Sequence, residues 1–129
     1  MTSSELKKRT KNFAHRCVKL AISLPNTTLG YHVKGQLIRA ATSVAANYRA
    51  TCLAQTPKSF IAKISIPIEE ADESYFWIEF AIDEKMLPKE KCAPLLKEAG
   101  EITAILIASR ITSQKNLKKN EEERKSKNS

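Results

Sequence analysis

The chemistry-bearing residues of this chain fall into three groups. The first is the carboxylate run Glu69-Glu70-Ala71-Asp72-Glu73. Glu70 and Glu73 are i,i+3 neighbours on a helix, and Glu69 and Glu73 are i,i+4 neighbours. Carboxylates spaced this way serve dimetal bundles, but those sites also need Glu-x-x-His on paired helices. No Glu-x-x-His occurs here, and nothing acidic follows Glu5 before Glu69. No metal or other cofactor is therefore expected. The run either faces solvent or meets basic groups, on Arg39 and Arg49 or on another subunit.

The second group is nucleophilic. Cys17 and Cys52 fall on apolar stripes and read as small core residues. Cys92 lies in the first turns of a helix, whose field could lower its pKa, but no histidine base is placed to serve it. His15 and His32 have no cysteine at ligand spacing, and Ser43, Ser59 and Ser74 show no triad arrangement. The three glycines, at 30, 35 and 100, are too scattered for a phosphate loop. The chain is not expected to be an enzyme.

The third group is basic. Residues 1–63 carry 11 Lys and Arg against Glu5 alone, a net of +10, whereas residues 64–87 carry seven acids against Lys85, a net of −6. The whole chain of 129 residues is +8. A surface divided in this way steers an anionic polymer to its basic side, or aligns the basic half of one subunit with the acidic segment of another. Phosphate contacts are assigned to Lys7, Lys8, Lys11, Lys34, Arg39 and Arg49, and the possible polymer is RNA or DNA. The alternative is a structural or protein–protein interaction module, in which Glu69–Glu73 consumes Arg39 and Arg49 and the lysines solubilise the surface.

The elements that must position these groups are helices. Leu6, Phe13, Cys17, Leu20 and Leu24 recur at helical spacing from an N-cap at Ser3 or Ser4 to Pro25. Val33, Leu37, Ala41, Val44 and Tyr48 form the stripe of a second helix, from Thr28–Tyr31 to about Gln55. That helix is rich in small residues, so it is expected to be central or covered on both faces. Gly35 marks either a close approach or a frayed first turn. Thr56-Pro57 is a cap followed by proline at the first helical position. The third helix then buries Phe60, Ile64, Ile68 or Pro67, Ala71, Tyr75, Ile78 and Ile82, with a bend expected at Pro67. A fourth runs from Pro88 to about Ser113, with Leu95, Leu96, Ala99, Ile102, Ile105, Leu106 and Ser109 inward.

Four such helices with short connections specify an all-α, antiparallel up-down-up-down four-helix bundle over residues 1–113. Residues 114–129 read as a charged, flexible C-terminal tail. Asn47 lies mid-helix among alanines and is expected to cap or cross-link helices, with Arg39 or Glu73 as partners. The aromatics from Tyr75 through Trp77 to Phe80 exceed what one face can bury, so a homo-oligomer is expected, with Asn47, Glu70, Asp72, Glu73, Tyr75 and Trp77 as structural or interface residues. No stretch reaches a membrane span, so no membrane partner is expected. Three cysteines without a disulfide framework point to a cytoplasmic protein.

Residues 36–50, QLIRAATSVAANYRA, carry a recognisable signature. It continues through Ser59-Phe60, Lys63-Ile64, Glu70-Ala71-Asp72-Glu73-Ser74 and Trp77-Ile78-Glu79. The chain resembles the small four-helix bundle proteins encoded in intervening sequences of bacterial large-subunit ribosomal RNA genes. It departs from one common variant, which has Ile-Ala-Glu-Gly after the asparagine where this chain has Tyr48-Arg49-Ala50. The resemblance implies a left-handed bundle that assembles as a homopentamer. It also implies kinship with the accessory bundles of diversity-generating retroelements, which engage a reverse transcriptase and nucleic acid. It brings no catalytic residues.

Overall fold

The structure, a computed structural model, describes residues 1–128. It contains α1 (Ser3–Ile22), α2 (Thr28–Thr51), α3 (Pro57–Asp83) and α4 (Lys89–Lys127), and no strand among the described residues. The helices form the expected all-α antiparallel bundle and pack in sequence, α1 on α2, α2 on α3 and α3 on α4; α1 meets α4 only thinly.

Threonines start three of the helices. Thr2, Thr27 and Thr56 accept hydrogen bonds from the backbone N–H of Glu5, Gly30 and Ser59, which satisfies donors that the first turn leaves free. The cap of α1 is thus Thr2 rather than Ser3 or Ser4. Pro88 is itself the N-cap of α4 and supplies no side-chain bond. The α3–α4 connection is closed by Lys85, whose φ of 55° is the left-handed conformation. Its N–H donates to the Ile82 carbonyl and the Met86 N–H donates to that of Ala81, both at 2.9 Å. This paired closure usually places glycine where Lys85 stands.

The core follows the apolar stripes. Leu6, Phe13, Cys17, Leu20 and Leu24 from the α1 segment are buried against Val33, Leu37, Ala41, Val44 and Tyr48 of α2. Ile64, Ile68, Ala71 and Ile78 of α3 join Leu95, Ala99, Ile102 and Leu106 of α4. Pro67 is buried inside α3, within a helix that continues through it.

The close approach expected at Gly35 falls at Gly30 instead. A Cβ at Gly30 would stand 1.8 Å from the Pro25 carbonyl oxygen, so this residue lets the α1–α2 connection lie against the first turn of α2. Gly35 faces open space, within α2 rather than at a frayed end.

The end of α4 also differs from expectation. The helix does not stop near Ser113 but continues to Lys127, with only Leu117 half-buried beyond Ser113. The segment lacks an apolar period because it faces water. Its lysines and glutamates are good helix formers, and Glu121–Lys125 and Glu123–Lys127 have the favourable i,i+4 order. Ser129, the last residue of the expected tail, lies outside the described residues.

Candidate nucleic-acid interface

The outward side of α1 carries Lys7, Lys8, Lys11, His15 and Lys19, all exposed. None of these lysines has an ion-pair partner among the described residues. Between α1 and α2 lies an open groove of about 650 Å³. Lys7, Lys11, His15 and Arg49 stand around it, over a floor that includes Ala14, Val18, Ala45 and Ala46, and no carboxylate lines it. The structure therefore brings Lys7, Lys11 and Arg49 together and sets Lys8 on the neighbouring exposed surface of α1.

The other two residues assigned to phosphate are engaged elsewhere. Lys34 lies towards the opposite end of the bundle, 3.3 Å from Asn26 Oδ1 and with its ammonium 5.0 Å from the centre of the Tyr31 ring. Arg39 turns to α3, donating from Nη1 to Glu70 Oε2 at 3.2 Å and from Nη2 to Glu73 Oε1. Two carboxylates neutralise it, which removes it from the positive surface. The expectation that the acidic run would consume both arginines holds for Arg39 and not for Arg49.

Glu73 also accepts from the Trp77 indole Nε1 at 3.3 Å. The hydrogen bond from Arg39 holds the Glu73 carboxyl below the usual carboxylate range. Glu70 shifts the other way, because burial outweighs its attraction to the same arginine. Trp77 meets His32 edge-on at 5.5 Å, and Phe76 and Phe80 at 4.9 and 5.7 Å. Tyr75 turns inward: a Cβ at Gly100 of α4 would lie 3.7 Å from its ring. Phe76, half exposed at 50%, is the aromatic left outside. Asp72 is exposed and makes no bond within the described chain.

Asn47 does not bridge helices. Its Nδ2 donates to the Ser43 carbonyl at 2.9 Å, one turn back on α2. An amide this close to its own helix reaches a local acceptor sooner than Arg39 or Glu73.

Sequence reasoning missed a second arginine cluster. Arg9 donates from Nε and Nη2 to both oxygens of Glu98, at 2.8 and 2.6 Å, and from Nη2 to Glu101 at 2.7 Å. This fork joins α1 to α4, the neighbouring pair of helices that packs least. Its hydrogen bond holds the Glu98 carboxyl below the usual range. The available signal was Arg9 between Leu6 and Phe13 on the inward flank of α1, facing two glutamates spaced i,i+3. Burial pushes the Cys17 thiol up to about 12. It raises Cys92 as well, overriding the helix field invoked from sequence. No group of His, Cys, Asp and Glu among the described residues is placed to hold a metal ion, and no helix is long and apolar enough to cross a membrane.

Residues 2–108 match the family described as 23S rRNA-intervening sequence protein. The chain belongs to that family. The crystal structure of a protein with unknown function from the S23 ribosomal protein family of Bacteroides thetaiotaomicron VPI-5482 is 30% identical, with a TM-score of 0.75. The likeness covers 81% of this chain and 97% of that one. Among curated proteins, none matches. The family match ends at residue 108, so the solvated end of α4 lies beyond it.

Proposed function

We propose that this member of the intervening-sequence protein family is a non-enzymatic, self-associating bundle whose α1 face binds the phosphate backbone of RNA or DNA. The observation that carries the reading is the run of exposed, unpaired lysines on α1, beside a groove that no carboxylate lines. Lysine ammoniums on one rigid helix act as point charges that follow phosphates without reading bases. Self-association repeats that face on each copy and multiplies the local field. The pentamer implied by the resemblance is the assembly we favour, with the cytoplasm as the compartment.

The test is binding of the purified protein to a structured RNA and to duplex DNA at about 0.15 M salt, set beside Lys8→Glu/Lys19→Glu. These two residues are exposed and lie outside the α1–α2 groove. The wild type is expected to bind, and the variant to bind about tenfold or more weakly with unchanged helicity. Equal affinity of the two proteins rejects the reading. The second reading, a protein-interaction module, is favoured by the small apolar floor between α1 and α2. It takes over if neither polymer binds while the assembly stays intact.

A further inference from the structure

The α1–α2 groove and the outer side of α3 have complementary properties. Ile66, Glu69, Asp72, Phe76 and Glu79 follow one another by three or four residues and form a single exposed ridge along α3. Ile66 is 46% exposed and Phe76 50%, so the ridge carries two large apolar groups among its acids. Glu69, Asp72 and Glu79 make no bond within the described chain. Across the molecule, the groove offers the reverse charge, with Lys7, Lys11 and Arg49 around Ala45 and Ala46.

We propose that the α3 ridge of one copy docks into the α1–α2 groove of the next, in a head-to-tail contact. This rests on the self-association reading above and assigns it to two surfaces. Size supports the fit. At 1.5 Å per residue, the ridge from Ile66 to Glu79 runs about 20 Å, and the groove from Lys7 to Val18 about 17 Å. The floor is built of small side chains, so a helix can approach closely and the large groups Ile66 and Phe76 can fill the hollow. Acidic groups on either side of them then reach Lys7, Lys11 and Arg49, and charges of one sign on each surface set the polarity of the contact. The two surfaces differ, so the contact is heterologous and each copy keeps one surface of each kind for further neighbours. Lys7 and Lys11 are then taken by the neighbouring copy, whereas Lys8 and Lys19, which do not line the groove, stay outside the contact and remain available to phosphate.

The experiment uses two full-length variants, Lys7→Glu/Lys11→Glu/Arg49→Glu and Glu69→Lys/Asp72→Lys/Glu79→Lys, with mass read by light scattering. All six positions are exposed, and circular dichroism checks the helices. The wild type is expected to scatter as a multiple of 14.5 kDa. Each variant alone should fall to the monomer, and their equimolar mixture should regain a mass above the monomer, because unlike copies then alternate. An odd ring cannot close by alternation, so the mixed mass is expected to differ from that of the wild type. A wild-type mass of 14.5 kDa at every accessible concentration overturns the proposal. So does either variant that keeps the wild-type mass, or a mixture that stays monomeric. A monomeric wild type that still binds RNA separates failure of this contact from failure of the nucleic-acid reading. An assembled protein that ignores RNA shows the converse.

Discussion

α1 and α3 solve the same packing problem with opposite surfaces. α3 packs on both α2 and α4, whereas α1 packs on α2 and only thinly on α4. From Glu69 onward the outer charges of α3 are acidic, after the exposed Lys58 and Lys63 of its first turns, and those turned to α2 are neutralised by Arg39. The outer charges of α1 are lysines with no partner in the described chain. α3 is thus a central element with a sticky acidic ridge. α1 is a peripheral helix held by an apolar stripe, a tight connection and one arginine fork, and its outer charge is free for something else. The difference shows how a small bundle divides its work between a helix that holds the fold and a helix whose outer charge the chain itself leaves unpaired.

Breaking the attachment of α1 is expected to have the largest effect. Gly30→Val places a Cβ against the Pro25 carbonyl, where a built Cβ lies 1.8 Å from the oxygen. The α1–α2 connection must then move, at a cost of about 2–4 kcal/mol, or roughly 10 °C in a thermal melt. Gly35→Val, one turn on and facing open space, tests the same chemistry without the clash and should change the melt far less.

The two arginines sharpen the contrast next. Arg9 pairs with Glu98, whose side chain is 15% exposed; Arg39 pairs with Glu70 and Glu73, at 19% and 34%, but is itself 48% exposed. Arg9→Met should cost about 1–2 kcal/mol and Arg39→Met at most about 1 kcal/mol, read by urea denaturation. Acid should act through the same pairs. The carboxyls of Glu98 and Glu73 are depressed in the folded chain relative to their ordinary value of 4.5. Their contribution is therefore complete above that value and is lost as pH falls below it through the folded pKa. In Arg9→Met the part of the acid loss due to Glu98 should disappear.

Smaller effects concern single backbone and side-chain positions. Lys85→Gly replaces a side chain held in the left-handed conformation with the residue that closure favours, and should stabilise by about 0.5–1 kcal/mol. Asn47→Leu removes one bond to a carbonyl of its own helix, so the melt should shift by no more than about 0.5 kcal/mol. A loss of several kcal/mol there would restore the cross-linking role read from sequence.

Much of this contrast was legible before the structure. The α1 and α2 stripes are buried as read, because the 3.6-residue period reports burial directly. Thr56-Pro57 marked the start of α3 through cap chemistry, and the acidic run pointed to Arg39 and Arg49 through charge alone, of which only Arg39 pairs with it. Four features were not legible, each for its own reason. The Arg9 fork depends on which flank of α1 meets α4, which periodicity does not order. Gly30 and Gly35 look alike in sequence, and only the path of the connection tells them apart. The extension of α4 has no apolar period to read, since among the described residues it is exposed apart from Leu117. The groove is a joint property of two helices, so its lysines could be named individually but not gathered.

The measurement that bears most directly on the two-surface account is the salt dependence of binding to a structured RNA. Phosphate neutralisation releases counterions, so log affinity should fall linearly with log salt, by roughly 0.7 to 0.9 per phosphate contacted. The wild type should show a slope of several contacts, and Lys8→Glu/Lys19→Glu a slope shallower by about two, with its oligomeric mass unchanged. Affinity that does not vary with salt, or a slope that survives reversal of both lysines, contradicts the assignment of phosphate binding to α1.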